Sequence, residues 1–193
     1  MADVGLLGFP NAGKSTLLSH MSSARPKIAD YPFTTLIPNL GVVSYGGYKS
    51  FVMADIPGLI EGASEGQGLG TRFLKHVERT DLFLHLVDIS SMQSGDPEEN
   101  FAIINRELQR HNAELAAKPQ LVAITKIDIT EVREQVDRYR LLFEQQGYRV
   151  FTLSAVTGEG LKELVRTLGE TLETTRRGRQ PAAGAVDNEA PQS

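Results

Sequence analysis

The sequence predicts a three-layer α/β domain, a mostly parallel sheet of about six strands with one antiparallel edge strand, covered by helices on both faces. Three observations predict it. Short and largely continuous apolar runs at residues 3–9, 40–45, 49–54, 82–88, 120–125 and 150–154 read as strands, and continuous rather than alternating apolar character marks strands buried on both faces. Segments of helical periodicity fill the intervals, and that alternation is the pattern of a parallel sheet flanked by helices. The runs 40–45 and 49–54 are joined by only Gly46-Gly47-Tyr48, enough for an antiparallel hairpin and too short for a crossover.

The elements follow in order. Val4-Gly5-Leu6-Leu7 is the apolar heart of the first strand, and Ser15 to Met21 reads as the helix after it. In 97–117 the positions Phe101, Ile104, Leu108 and Leu115 keep the helical repeat. Asp96 is placed to cap that helix, Pro97 occupies its first position, and Glu99 completes a capping box. Segment 130–146 sets Val132, Val136, Tyr139 and Phe143 on one face, and segment 160–175 does so with Leu161, Leu164, Val165, Leu168 and Leu172. Such stripes need a sheet to cover them. Residues 23–38, with prolines at 26, 32 and 38, and residues 56–70, with glycines at 58, 62, 66, 68 and 70, read as long loops. Loops of that length inside a compact domain are commonly functional. The domain is expected over 1–176, with a disordered tail over 177–193, where Ala, Pro, Gly and acidic or amide residues take over.

Composition narrows the function classes. A chain of 193 residues with 40% hydrophobic and 23% charged residues is one globular domain. No apolar run reaches the length of a membrane span, and no secretory signal is visible at the N-terminus. Cysteine is absent, which removes disulfides and thiolate metal sites and fits a cytoplasmic location. A net charge of −4 argues against a general nucleic-acid coat, so any RNA contact must be local.

The chemistry starts at Gly8-Phe9-Pro10-Asn11-Ala12-Gly13-Lys14-Ser15-Thr16, a G-x-x-x-x-G-K-S/T phosphate-binding loop between a strand and a helix. In that setting successive backbone N–H groups face one concavity at the positive end of the helix. Gly8 and Gly13 let the backbone approach the phosphates, Lys14 would neutralise the terminal phosphate oxygens, and the Ser15 hydroxyl would bind Mg²⁺. Asp55-Ile56-Pro57-Gly58 ends the strand 49–54; the carboxylate can hold a Mg²⁺-bound water and the Gly58 N–H can reach a terminal phosphate. Thr125-Lys126-Ile127-Asp128 ends the strand 120–125. The Asp128 carboxylate can accept from N1–H and the 2-amino group of guanine, a pair of donors adenine lacks, and the Lys126 stem can cover the ring. Ser154-Ala155-Val156 follows strand 150–154, where the Ala155 N–H could donate to guanine O6.

Four motifs at the ends of successive strands, in this order, resemble the G-domain of GTPases. The wording of residues 8–16, of Arg25 to Leu36, of Pro38 to Gly41, of Asp55 to Ala63, and of Gly68-Leu69-Gly70, Phe73-Leu74 and His76 to Thr80 is similar to the Obg family, over residues 2 to about 175. The resemblance implies that Phe33, Thr34, Thr35, Leu36 and Ile37 form switch I, with Thr35 as second Mg²⁺ ligand and Thr34 as the alternative. It implies that Asp55, Ile56, Pro57 and Gly58 open switch II, and that Thr125 to Asp128 and Ser154 to Val156 read the base. It further implies binding of GTP and GDP, response to guanine-nucleotide alarmones, and a cytoplasmic role in assembly of the large ribosomal subunit through ribosomal RNA. The protein is expected to be a monomer with no membrane span. Thr125 departs from the commoner Asn; its hydroxyl can still bond the phosphate loop, so affinity should drop modestly while Asp128 keeps the specificity. Family members carry a glycine-rich domain ahead of the G-domain, whereas this chain opens at Met1-Ala2-Asp3, at the start of the expected first strand. The reading is therefore of a G-domain alone, whose site is expected to be ordered by nucleotide.

Hydrolysis requires neutralised phosphates and an oriented water. Ras-type enzymes orient that water with a glutamine just after D-x-x-G, but here the position is Leu59, so slow turnover is expected; Gln67 lies further along the same loop. Asn11 has two readings: a K⁺ ligand between the phosphates, as in cation-activated GTPases, or a loop residue tolerating an unusual φ. Arg72, Lys75 and Arg79 share one helical face, either solvated or in contact with ribosomal RNA. His20, His76, His85 and His111 lack metal-ligand spacing, and His85 reads as a core or sheet-face residue. Two other classes stay open, an ATP-using P-loop protein, which Asp128 argues against, and a binding module with negligible turnover, which Leu59 favours.

Overall fold

Seven strands form one sheet in the order β2-β3-β4-β1-β5-β6-β7. The strands are β1 (Val4–Leu7), β2 (Lys27–Ile28), β3 (Asn39–Gly46), β4 (Lys49–Asp55), β5 (Leu82–Asp88), β6 (Gln120–Thr125) and β7 (Arg149–Thr152). The helices are α1 (Lys14–Met21), α2 (Pro97–His111), α3 (Ala113–Ala116), α4 (Thr130–Gln145) and α5 (Leu161–Arg179). The computed structural model describes residues 2–24, 27–28, 39–55, 79–90 and 95–179. The expected switch I (Phe33 to Ile37), residues 56–58 of switch II, Leu59, Gln67, Arg72, Lys75 and His76 lie outside the described residues, as does the end of the chain from residue 180.

The pairings β1–β4, β1–β5, β5–β6 and β6–β7 are parallel, while β3 runs antiparallel to both β4 and β2. One strand therefore opposes the rest, as the hairpin at 46–48 requires. It is the second strand in, because Lys27 and Ile28 pair with Leu40 and Asn39 along its outer side. Two residues carry no periodicity, so the sequence offers no signal for β2.

Each central strand divides its side chains between two apolar layers. Val4, Leu6, Leu82, Leu84, Leu86, Leu121 and Ala123 pack with Leu17 and Leu18 of α1 and with Leu164, Leu168 and Leu172 of α5. On the other face, Leu7 and Phe83 meet Ile104 and Leu108 of α2 and Leu115 of α3. Beside them Val87, Val122 and Ile124 meet Val132, Val136 and Phe143 of α4. Helices α1 and α5 thus cover one face, and α2, α3 and α4 the other. Each fully buried Leu or Phe contributes about 1.5–3 kcal/mol, and the predicted helix faces are the ones buried.

Several boundaries differ from the sequence reading. The expected helix over 97–117 breaks at Asn112, which turns extended (φ −156°) and caps α3 by accepting from the Glu114 N–H at 2.8 Å. An Asn amide competes in this way with the helix ladder. At the other end of α2, Asp96 Oδ1 accepts from the Glu98 N–H at 2.9 Å, with Pro97 in the first position. Strand β1 stops at Leu7 because Gly8 turns away at φ +145°. Helix α5 continues to Arg179, past residue 176. Its last turns are tied down: Arg176 bonds Asp3 and, at 3.0 Å, Asp81. Asp3 in turn accepts from the Val52 N–H at 2.6 Å and, through its carbonyl, from the Asp81 N–H at 2.8 Å. The start of β1, which aims the loop after it, is thereby fastened to β4, to β5 and to the end of α5. No helix of the described residues is long and apolar enough to cross a membrane.

Candidate functional site

The carboxyl ends of β1, β4, β5, β6 and β7 lie along one edge of the sheet, and β1 stands between β4 and β5 where the strand order reverses, the position at which such sheets form a binding crevice. Every described residue of the four motifs stands on this edge.

The loop between β1 and α1 is shaped by backbone constraints. A Cβ on Gly8 would lie 2.7 Å from the Leu86 carbonyl oxygen, so the loop runs too close to β5 to admit a side chain. Gly13 takes φ +94° as the α1 N-cap and Asn11 takes φ +66°. Phe9 O accepts from the Ala12 N–H at 3.2 Å, closing the turn. Lys14 Nζ folds back to donate to Gly8 O at 2.8 Å and Phe9 O at 3.1 Å, which places the ammonium across the mouth of the loop. Ser15 and Thr16 are exposed on the first turn of α1.

Ser15 Oγ donates to Asp55 Oδ2 at 2.5 Å, bridging forty residues. Asp55 is buried, and its second oxygen, Oδ1, has no hydrogen-bond partner among the described residues. An uncompensated buried carboxylate oxygen is costly. A hard cation taking oxygen ligands would satisfy it, so the pair fits Mg²⁺.

The segments expected to read the base lie beyond β6 and β7. Thr125 is buried and its hydroxyl donates to Ala12 O at 3.0 Å, with Val87 O at 3.4 Å as a longer second acceptor. The hydroxyl therefore performs the tie to the phosphate loop expected of it. Lys126, at φ +62°, reaches Asp88 Oδ2 at 2.5 Å. Burial works to raise the Asp88 pKa, but hydrogen bonds from Lys126 and Ser90 hold it below the ordinary value. Ile127 packs into the core and its N–H donates to Leu153 O at 3.3 Å, while Asp128 stands exposed at the start of α4. Ser154 is fully buried and holds the next turn, its Oγ accepting from the Thr157 N–H at 3.1 Å. Ala155 is half-buried against the core and Val156 is 72% exposed.

Sequence reasoning missed three residues of this edge. Asp88 ends β5 as Asp55 ends β4, so a carboxylate closing an apolar run was a usable signal. Arg133 and Glu159 form an ion pair at 2.6 Å between α4 and the turn after β7; no local pattern links positions 26 apart. His85 is buried on β5, stacked on Phe101 with ring centroids 4.3 Å apart, and its Nδ1 accepts from Gln120 Nε2 at 2.8 Å. Burial, with a smaller push from the Lys14 charge, lowers its pKa to about 3, so it is a neutral sheet-face residue as expected.

A family model described as "50S ribosome-binding GTPase" matches residues 3–126. The chain is 70% identical over 182 residues to a GTPase Obg of Syntrophotalea carbinolica, covering 94% of this chain and 51% of that protein. It is 56% identical over 174 residues to the GTPase Obg of Ruminiclostridium cellulolyticum, covering 90% of this chain and 41% of the other. The chain thus spans about half the length of the curated relatives it matches. Among solved structures, the G domain of the T. maritima FeoB iron transporter superposes with a TM-score of 0.62 at 28% identity, covering 88% of this chain and 98% of that one. Aquifex aeolicus Era bound to GDP and AlF4⁻ shares the fold, with a TM-score of 0.59 at 24% identity over 86% of this chain and 55% of the other.

Proposed function

Because the chain belongs to the 50S ribosome-binding GTPase family, with Obg GTPases as its relatives, we propose that it binds GTP and GDP with Mg²⁺ and slowly hydrolyses GTP to GDP and phosphate. The observation that carries the reading is the Ser15–Asp55 pair. It sits at the mouth of a glycine-constrained loop and leaves one buried carboxylate oxygen without a partner among the described residues. Residues Gly8 to Thr16 cradle the phosphates, their backbone N–H groups and the α1 N-terminus facing the negative charge. Lys14 exchanges its two carbonyl partners for phosphate oxygens. Ser15 would hold Mg²⁺, Asp55 would hold a water bound to it, and Thr35 or Thr34 would supply the second hydroxyl. The ion would supply neutralisation of the phosphate charge. Asp128 accepts from the guanine edge, Lys126 covers the ring, and Ala155 donates to O6.

Leu59 stands where a water-orienting glutamine is usual, so turnover is slow. The same residue favours a second reading, a nucleotide-dependent ribosome- or RNA-binding module with negligible turnover as an isolated domain. Asn11, in the left-handed region, suits both a K⁺ ligand and a plain turn residue. In the cell the reading places the protein in the cytoplasm, as a monomeric switch in large ribosomal subunit assembly that also senses guanine-nucleotide alarmones. Single-turnover phosphate release from GTP is the test, run with Mg²⁺ and with EDTA, in KCl and in NaCl at equal ionic strength, with and without ribosomal subunits, for wild type and Asn11→Ala. Mg²⁺-dependent release is expected, faster in KCl for wild type only. Release indifferent to Mg²⁺ contradicts the site; release that ribosomal subunits alone induce selects the binding module; equal rates in the two salts remove the K⁺ role.

A further inference from the structure

We propose that Arg133 and Glu159 form a positioning brace that fixes the two base-reading segments at one separation and thereby sets the selectivity for guanine, an inference that rests on the reading of Asp128 as the guanine acceptor. The brace has three points. From the first turn of α4, Arg133 Nε donates to Ile127 O at 3.0 Å, inside the Thr125–Asp128 segment. Its two terminal nitrogens then take both oxygens of Glu159, Nη1 to Oε1 at 3.2 Å and Nη2 to Oε2 at 2.6 Å. A planar guanidinium held on three sides cannot swing, which a lysine with one ammonium could not reproduce.

Glu159 is itself fixed. Its carbonyl accepts from the Ser154 N–H at 3.1 Å and its N–H donates to Thr157 Oγ1 at 3.3 Å. Gly158 and Gly160 flank it at φ +82° and +78°, and a Cβ on Gly160 would lie 2.2 Å from Thr152 O. The turn from Ser154 to Gly160 therefore has one shape, and Arg133 connects that shape to the backbone one residue before Asp128. Asp128 is close enough for its charge to act on both partners. The hydrogen bond to Glu159 raises the Arg133 pKa most, and Asp128 adds to it. The hydrogen bond from Arg133 holds Glu159 low, against burial and the Asp128 charge.

An exposed ion pair contributes little to global stability, so the role lies in geometry. Guanine must meet the Asp128 carboxylate at N1–H and the 2-amino group and the Ala155 N–H at O6 at the same time. Each contact comes from a different segment, and a hydrogen-bonded fit lost by a fraction of an ångström discriminates poorly.

The test is displacement of fluorescent mant-GDP and mant-IDP, which lacks the 2-amino group, from the full chain, with Mg²⁺-pyrophosphate binding and thermal midpoint measured alongside. Glu159→Gln and Arg133→Lys are each expected to release mant-GDP about tenfold faster, and the double variant no faster than Arg133→Lys alone, since Glu159 acts through Arg133. The preference for GDP over IDP should narrow, while pyrophosphate affinity and thermal midpoint stay at the wild-type values. Unchanged GDP release overturns the brace, and so does a proportional loss of pyrophosphate affinity, which would mean general loosening. A wild type that binds ADP as tightly as GDP refutes the guanine reading itself, an outcome visible before any variant is compared.

Discussion

The two ends of the crevice, one proposed for the phosphates and one for the base, are built by different means. At the phosphate end the shape comes from main chain brought too close for side chains: Gly8 against Leu86, the turn at Phe9 and Ala12, and a positive φ at Asn11 and Gly13. At the base end the shape comes from side chains spanning distant segments: Thr125 to the Ala12 carbonyl, Lys126 to Asp88, Arg133 to Glu159. Steric exclusion of a side chain tolerates almost no substitution, whereas a hydrogen-bonded tie can be loosened by degrees. The two ends should therefore break differently.

The largest effect is expected from Gly8→Ala. The added methyl meets the Leu86 carbonyl oxygen in a backbone conformation that disfavours a side chain, and overpacking with strain together costs about 3 kcal/mol or more. Urea unfolding measures it; a loss below 1 kcal/mol would show, on the same scale, that the loop adapts.

His85 offers a smaller, pH-dependent contrast beneath the phosphate end. Its folded pKa of about 3 lies below the ordinary 6.5, so between those values the unfolded chain binds the proton and the folded protein does not. Its stabilising contribution is complete above pH 6.5 and is lost as pH falls toward 3, with a slope of up to about 1.4 kcal/mol per pH unit. In His85→Gln the stability measured from pH 7 to 4 should vary less steeply; an identical profile would mean that His85 is protonated in place.

Thr125→Val is the mildest break, at the joint between the two ends. It removes a hydroxyl at constant shape and leaves the buried Ala12 carbonyl without that donor, a loss of about 1 kcal/mol. GDP release should quicken a few-fold. A hundredfold change would show that the two ends are one cooperative unit rather than two parts joined by a hydrogen bond.

The same contrast explains what was legible. The phosphate loop is contiguous, so nine adjacent residues between an apolar run and a helix announce it. The buried faces of α2, α4 and α5 were legible because periodicity is local too. Strand β2 was not, since two residues have no period, and neither was the break at Asn112, where one amide outcompetes a helix ladder. Arg133 and Glu159 are ordinary charges on ordinary stretches until folding brings them together. Thr125 lies between: the residue was marked by its motif, while its partner carbonyl, 113 positions away, came from the motif order and not from any pattern around it.

The crevice is proposed to hold a guanine nucleotide through Asp128. Equilibrium binding of GDP, ADP and XDP to wild type and Asp128→Asn tests this most directly. Exchanging the carboxylate for an amide turns an acceptor into a donor, suited to the 2-oxo group of xanthine. Wild type is expected to prefer GDP over ADP and XDP by roughly a hundredfold or more, and the variant to invert the preference to XDP. A variant that keeps the wild-type order of affinities would contradict the proposal.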